Sequence, residues 1–117
     1  MTEASPPDVV FEGDSRAIIR TFPKSIREDM GGEFQRLQDG DHPLDSAPMG
    51  QVLPGVFELR AEDKDLWYRV FYCKREGVVY VLHCFTKKTN KTTQGDIEIG
   101  RKRLSDLKQR LARTKKH

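Results

Sequence analysis

The sequence predicts an α+β fold in which an antiparallel sheet is packed by two N-terminal helices, with a C-terminal helix at the end of the chain. Apolar residues recur at helical spacing in residues 16–39 and again in 97–111. Between them, residues 56–85 hold three short runs of aromatic and β-branched residues separated by polar segments, which is typical of a strand meander. With 117 residues, a single domain is predicted, with helices on one face of the sheet and the other face partly open.

Proline and capping signals set the N-terminal elements. Residues 1–7 are small, polar and proline-containing, which predicts a flexible leader, and residues 9–11 predict a short edge strand. Asp14 or Ser15 can cap a first helix that begins at about Arg16. This helix must stop near Phe22, because Pro23 disfavours helical geometry in the residue before it. Pro23 then suits the first turn of a second helix that runs to about residue 39.

Residues 31–54 contain several glycines and prolines, which interrupt regular secondary structure. Gly31 and Gly32 lie in the middle of the second helix, so we expect a kink or a close helix contact there. A loop rich in Gly, Pro and Asp is predicted for residues 39–54. It contains His42, for which solvent exposure is predicted, with an RNA contact as the alternative.

Cations gather in the central meander. Side chains two apart on a strand share a face, so Arg69 is expected to lie beside Trp67 and Phe71. A single arginine among aromatic residues is often explained by a salt bridge, for which Glu58 is the candidate. Several cations on or just beyond one small sheet instead predict a phosphate-bearing partner, and they are Arg60, Arg69, Lys87, Lys88 and Lys91.

A polar segment, TKKTNKTTQGD, follows the last run of the meander. Loops on a rigid strand support often hold substrate, so it is a candidate binding loop, with a plain connecting loop as the alternative. With RNA as the partner, the expected binding residues of this loop are Thr89, Asn90 and Lys91. Thr93 or Asp96 can cap the final helix, which is predicted to reach about residue 112 before a frayed tail at 113–117.

Charge is divided unevenly along the chain. Residues 1–85 carry ten Lys and Arg against fifteen Asp and Glu, whereas residues 86–117 carry eleven against three, so the net charge goes from −5 to +8. A basic last third predicts a polyanion or an acidic protein segment as the partner, and a solvated basic helix is the alternative. The sequence shows neither a bilayer-spanning apolar run nor signal-peptide regions, so a cytoplasmic protein is predicted.

The sequence carries no metal-ligand or cofactor motif, so neither a metal nor a cofactor is predicted. Its three histidines, His42, His83 and His117, are far apart and without ligand spacing. Cys73 and Cys84 fall in the predicted core, where cysteines are most often buried and reduced.

Four segments in order, VFELR, WYRVFY, VVYVLHCFTKKTNKT and IEIGRKRL, resemble the phage-derived HigB-like branch of the RelE/ParE toxin superfamily. The resemblance implies a RelE-like fold and a toxin of a type II toxin–antitoxin system. Such a toxin enters the ribosomal A site and cuts mRNA without a metal, through attack of the 2′-hydroxyl on the adjacent phosphate to leave a 2′,3′-cyclic phosphate. The implied partners are mRNA on the ribosome and a cognate antitoxin of the helix-turn-helix, HigA-like kind, with no membrane involved.

The resemblance also implies roles for single residues. Arg69 matches the strand arginine that contacts the scissile phosphate in RelE-like toxins. Lys88 matches the basic position that assists departure of the leaving group, and Lys87 lies beside it. Arg60 matches the arginine of the ELR segment, which orients RNA or supports the site.

Two departures from the RelE pattern leave the general base open. Glu58 stands where RelE has lysines flanking the strand before the arginine, and Ile97 stands near the place of its last-helix tyrosine. Glu58, His83 and a lysine are therefore all candidates for the base. Two other functions remain as alternatives: a non-cleaving ParE-like toxin that inhibits DNA gyrase, and a phage-associated nucleic-acid-binding accessory protein.

Overall fold

The computed structural model describes residues 8–114, so the predicted leader at 1–7 and residues 115–117 of the predicted tail lie outside the described residues. The elements in chain order are β1 (Val9–Phe11), α1 (Ser15–Ile19), α2 (Lys24–Gln38), β2 (Ser46–Pro48), β3 (Phe57–Asp63), β4 (Leu66–Arg75), β5 (Val78–Lys87) and α3 (Gln94–Thr114). The predicted α+β class is confirmed. The C-terminal helix extends slightly beyond its predicted end at residue 112.

The sheet has five strands in the order β1-β5-β4-β3-β2. Strands β2 to β5 are antiparallel to their neighbours, but β1 runs parallel to β5, so the prediction of a purely antiparallel sheet is wrong. No hairpin turn joins β1 to β5, and therefore nothing local imposes antiparallel pairing on it. The β4–β5 connection is the predicted short hairpin, with Glu76 and Gly77 both at positive φ, as a type I′ turn requires.

The two faces of the sheet carry different helices. Helices α1 and α2 cover one face, where Ile26, Met30 and Leu37 pack against a buried layer that includes Leu59 and Val70. Helix α3 covers part of the opposite face, where Leu104 and Leu107 pack against Phe71 and Leu82. The expectation that all helices lie on one face is therefore wrong. Alternating apolar residues on β4 and β5 allow a buried layer on each side of the sheet.

In residues 24–54, the predicted close contact finds no support at Gly31, and the predicted loop needs correction. Helix α2 runs through Gly31 and Gly32 as one element, and a Cβ on Gly31 would meet nothing within 4 Å, so no close contact explains that glycine. The predicted loop contains the short edge strand β2, which pairs with β3. Its three residues end in Pro48, a composition that gives no strand signal, although an edge strand tolerates proline because it has an unpaired side.

Candidate functional site

The predicted cationic residues of the strands meet on the α3 face of the sheet, beyond the N-terminal end of α3. In the strand register Arg69 lies opposite Arg60 on one side and Phe85 on the other, and Trp67 lies opposite Lys87. Helix α3 begins only at Gln94, after a loop of residues 88–93. This end of the face is therefore lined by polar side chains and an indole instead of a hydrophobic layer.

Arg69 is the centre of this cluster and is only 3% exposed. Its Nε lies 3.6 Å from Oε1 of Glu58, Nη2 donates a hydrogen bond to Oδ1 of Asn90, and Cζ lies 5.2 Å from the ring centroid of Trp67. Burial lowers the pKa of the Arg69 guanidinium, and the Glu58 carboxylate opposes that shift. Because the pKa of arginine starts so high, the group remains a cation at any physiological pH.

Glu58 is buried behind Arg69 and is tied to the loop that follows β5. Its Oε2 accepts a hydrogen bond of 3.0 Å from the hydroxyl of Thr92. The contact between Asn90 and Arg69 makes a second link from the same loop to the sheet. The candidate binding loop is thus anchored to the strand residues at two points.

Arg60 is exposed and held by a residue that sequence reasoning missed. Its Nε and Nη2 donate to Oδ1 of Asp45 at 3.1 and 2.9 Å. Asp45 is fixed in turn, because the buried Glu33 carboxylate accepts hydrogen bonds from the backbone N–H groups of Leu44 and Asp45. No sequence signal pointed to Asp45, since it precedes the unpredicted strand β2.

Lys87 belongs to a second polar cluster at the start of α3. Its ammonium contacts a carboxylate oxygen of Asp96 and the hydroxyl of Thr93, and Nε2 of His83 lies 2.9 Å from the other Asp96 oxygen. Burial raises the pKa of Asp96, but hydrogen bonds from Lys87, Thr93 and His83 outweigh it and hold that pKa below its ordinary value. Thr93 also caps α3, since its hydroxyl accepts from the Asp96 N–H at 3.3 Å, as predicted.

His83 is placed unfavourably for a general base. It is buried between Phe71 and Phe85, and its Nε2 is engaged by Asp96. Its Nδ1 has no hydrogen-bond partner among residues 8–114.

The remaining predicted residues lie further out. Lys88, Thr89 and Lys91 are exposed in the loop, and no hydrogen bond or ion pair joins them to other described residues. The contacts therefore bring together Glu58, Arg69 and Asn90, and Arg60 and Lys87 lie on the neighbouring strands. Lys88, Thr89 and Lys91 take no part in these contacts. His42 is exposed, as predicted, and lies apart in the loop before β2.

A cleft of about 140 Å³ opens over the Arg69 cluster. Its lining consists of Asp45, Arg60, Ala61, Glu62, Trp67, Arg69 and Asn90. That volume is below the roughly 300–1,000 Å³ of typical small-molecule pockets, so only part of a larger ligand can enter it. A phosphate group is of suitable size, and the rest of its molecule would lie across the surface.

Larger grooves also occur on the described part of the chain, and one of about 420 Å³ shares Asp45, Arg60, Ala61 and Glu62 with the small cleft. One of about 330 Å³ runs between the β4–β5 hairpin and the end of α3, and its floor includes Val78, Tyr80 and Leu111. None of the predicted site residues lines it. The small cleft is the better candidate site, because Arg69 and Asn90 line it and line neither of these larger grooves.

Other kinds of site find little support within residues 8–114. No group of three or more His, Cys, Asp or Glu side chains there is arranged to hold a metal ion. Cys73 and Cys84 are free and buried, as predicted, and they belong to the hydrophobic layers on opposite faces of the sheet. None of the helices in this part of the chain is long and apolar enough to cross a membrane.

The fold and the site define a small α+β protein that presents a buried arginine and a polar loop at one end of its sheet. The model of the phage-derived Gp49-like protein family (DUF891) matches residues 17–105, and the chain belongs to this family. The family is one of RelE/HigB-like toxins, which confirms the predicted resemblance at this level. No curated protein and no solved structure matches the chain.

Proposed function

We propose that the protein is the toxin of a type II toxin–antitoxin system and acts in the cytoplasm as an endoribonuclease on ribosome-bound mRNA. One observation carries the proposal: the Arg69 guanidinium lies at a cleft of phosphate size, backed by Glu58 and flanked by Asn90. A cation with fixed partners needs little reorganisation when charge develops on a bound phosphate. Membership of a toxin family supports the same reading.

The proposed reaction uses the RNA as its own nucleophile and needs no metal. The 2′-oxygen attacks the adjacent phosphorus and loses its proton, the bond from phosphorus to the 5′-oxygen breaks, and that oxygen gains a proton. The products are a 2′,3′-cyclic phosphate and a 5′-hydroxyl. Arg69 would stabilise the extra negative charge on the phosphoryl oxygens, which is the main demand of such a transition state.

The cations of the loop would complete the site. Lys88 is exposed in the same loop as Asn90 and is proposed to assist departure of the 5′-oxygen. Lys87 is held by Asp96 and Thr93, so we propose that it contributes fixed positive charge instead of a mobile proton. Arg60, Thr89, Asn90 and Lys91 are proposed to contact RNA on either side of the scissile bond.

Glu58 has two candidate roles. It could take the 2′ proton, or it could hold Arg69 in place as a counter-ion. The carboxylate faces Arg69 and Thr92 and does not line the cleft, which favours the positioning role. The general base is then supplied by another group or by water.

A cognate antitoxin is the proposed partner that keeps the toxin inactive. An acidic or amphipathic antitoxin segment would complement the exposed cations of the loop at Lys88 and Lys91. High salt should weaken that component of the complex, whereas apolar anchoring would persist.

The contacts of α3 argue against a general nucleic-acid-binding accessory role. Four of its cations are engaged by carboxylates, in the pairs Arg101–Glu98, Lys102–Asp106, Arg103–Asp14 and Arg110–Glu12. Much of the basic charge of this helix is therefore balanced within the molecule. A polyanion would meet less free charge there than the sequence alone suggests.

Pulse labelling in cells that produce the protein tests the proposal. We expect methionine incorporation to stop before thymidine incorporation, and Arg69→Ala to abolish this arrest while Arg101→Ala, at an exposed surface pair, retains it. Because Arg69→Ala leaves the Glu58 carboxylate without its cation, a Glu58→Gln/Arg69→Gln double variant provides a second inactive form without a buried charge. Folding of each variant is checked by circular dichroism. Thymidine incorporation stopping first, or arrest by folded Arg69→Ala, would overturn the proposal.

A further inference from the structure

Trp67 is a large aromatic residue that lies outside the hydrophobic core of the described residues. It lies on the face that carries Arg69, and it belongs to neither of the two hydrophobic clusters of the sheet. Trp67 is partly exposed as a residue, whereas Tyr68 and Phe71 on the same strand are buried. The indole also lines the small cleft.

We propose that Trp67 is a stacking platform for one base of a single-stranded RNA, next to the phosphate that Arg69 holds. This inference rests on the proposed function and adds that the cleft recognises one unpaired base of the substrate. Residues two apart on a strand lie roughly 7 Å from each other. A phosphate and the base of the same nucleotide are separated by one sugar, a distance of similar size.

The surroundings of the indole suit such a contact. The Arg69 guanidinium lies over one face of the ring and restrains the indole, so the base would stack on the opposite face and less entropy would be lost on binding. Asn90 and Arg60 line the same cleft and offer hydrogen-bond donors to the base edge or the ribose. Stacking on an aromatic ring requires an exposed base face, which single strands offer and paired duplexes hide.

The chain contains one tryptophan, so its fluorescence reports on Trp67 alone. The full-length protein is titrated at low ionic strength with a fluorescently labelled, single-stranded RNA hexamer that is 2′-O-methylated to block cleavage. A matched hexamer of abasic sugars has the same number of phosphates and serves as the control ligand. We expect the base-bearing hexamer to quench Trp67 in step with binding seen by anisotropy, and the abasic one to bind more weakly without quenching.

Variants give a second, independent readout by anisotropy. Trp67→Leu should weaken binding of the hexamer roughly 5- to 150-fold, the range that corresponds to loss of one stacked base. Trp67→Phe keeps an aromatic face and should stay within about 3-fold of the parent chain. Phe57→Leu is the matched control, because Phe57 is also a partly exposed strand aromatic but stacks on Tyr72, a member of the layer on the other face of the sheet.

Several outcomes would overturn the platform. They are no binding of the hexamer, equal quenching by the abasic hexamer, quenching by duplex DNA as strong as by the single strand, and unchanged binding in Trp67→Leu.

The platform and the nuclease can fail separately. Base-dependent quenching without translation arrest would support base stacking on Trp67 and contradict the proposed nuclease activity. Translation arrest together with base-independent quenching would support the nuclease activity and contradict base stacking on Trp67.

Discussion

At the scale of single residues, the site is a strand arginine whose surroundings come from distant parts of the chain. The sequence offered Glu58 as the candidate salt-bridge partner of Arg69, and the two side chains lie 3.6 Å apart. The contacts of Asn90 with Arg69, Thr92 with Glu58 and Asp45 with Arg60 could not be predicted. Loop side chains reach the sheet only through tertiary structure, which a local sequence pattern does not show. The local pattern therefore reveals the charge at the centre of the site but not the groups that orient it.

Glu58→Gln tests the role of the buried carboxylate. The change keeps the shape and one hydrogen-bond acceptor for Thr92 but removes the charge opposite Arg69. If Glu58 positions Arg69, we expect cleavage to slow about 10-fold with no change in the shape of its pH profile. Glu98→Gln, the same change at an exposed pair on α3, should leave the rate unaltered.

The measurement is the rate of RNA cleavage on ribosomes as a function of pH. A fall of about 10²- to 10⁴-fold, with loss of the acidic limb of the profile, would instead make Glu58 the general base.

At the scale of elements, the sequence predicted the helices and the meander strands well, because each has strong periodicity and clear end signals. Pro23 is the N-cap residue of α2 and Thr93 caps α3, close to the predicted places. The sequence did not reveal β2 or the parallel pairing of β1, since strands of three residues carry almost no pattern. Nor did it place α3 on the opposite face, which depends on packing of the whole sheet.

Two helix glycines should respond in opposite directions to the same substitution. Gly31→Ala on α2 meets open space and should raise the free energy of unfolding by about 0.4–1 kcal/mol, through helix propensity and a less flexible unfolded chain. Gly100→Ala on α3 would bring a Cβ within 3.0 Å of Phe71 and 3.2 Å of Leu53. Both side chains are about 1% exposed or less, so overpacking of roughly 1–3 kcal/mol should outweigh the helix gain.

Urea denaturation of both variants against the parent chain measures these differences. A stabilised Gly100→Ala variant would show that α3 does not pack on β4 as closely as described.

The cluster at the junction of β5 and α3 should make stability depend on pH. The pKa of Asp96 is lower in the folded chain, so its contribution is fully present above the unfolded value near 4 and is lost as pH falls through the folded pKa. Asp96→Asn should therefore be less stable than the parent chain at pH 7, and that difference should shrink below about pH 4.

Urea denaturation at a series of pH values provides the measurement, with Asp106→Asn as the control at an exposed pair. A stability difference that grows on acidification would contradict the cluster as described.

At the scale of the whole molecule, the sheet separates two hydrophobic layers, and the basic helix is joined to the acidic N-terminal region. Arg103 reaches Asp14 at 2.8 Å and Arg110 reaches Glu12 at 2.8 Å. The uneven charge predicted from the sequence is thus partly an internal attachment of α3. What remains unpaired among the described residues includes Lys88 and Lys91, at the end of the sheet where the cleft opens.

The two cysteines report on both layers at once. Burial raises the pKa of the Cys84 thiol to about 12 and also raises that of Cys73, so neither forms the reactive thiolate at pH 8. We expect iodoacetamide to modify neither thiol in the folded protein, and to modify both together at the rate of global unfolding, as followed by mass spectrometry. Rapid modification of one cysteine under native conditions would show that its layer opens independently.

The central claim is that Arg69 grips the phosphodiester that is cut, and primer extension on ribosome-bound mRNA tests it most directly. We expect discrete stops inside translated codons when the parent chain or Arg101→Ala is produced, and no stops with folded Arg69→Ala. Growth arrest without any such stops, or the same stops in the Arg69→Ala variant, would contradict the claim.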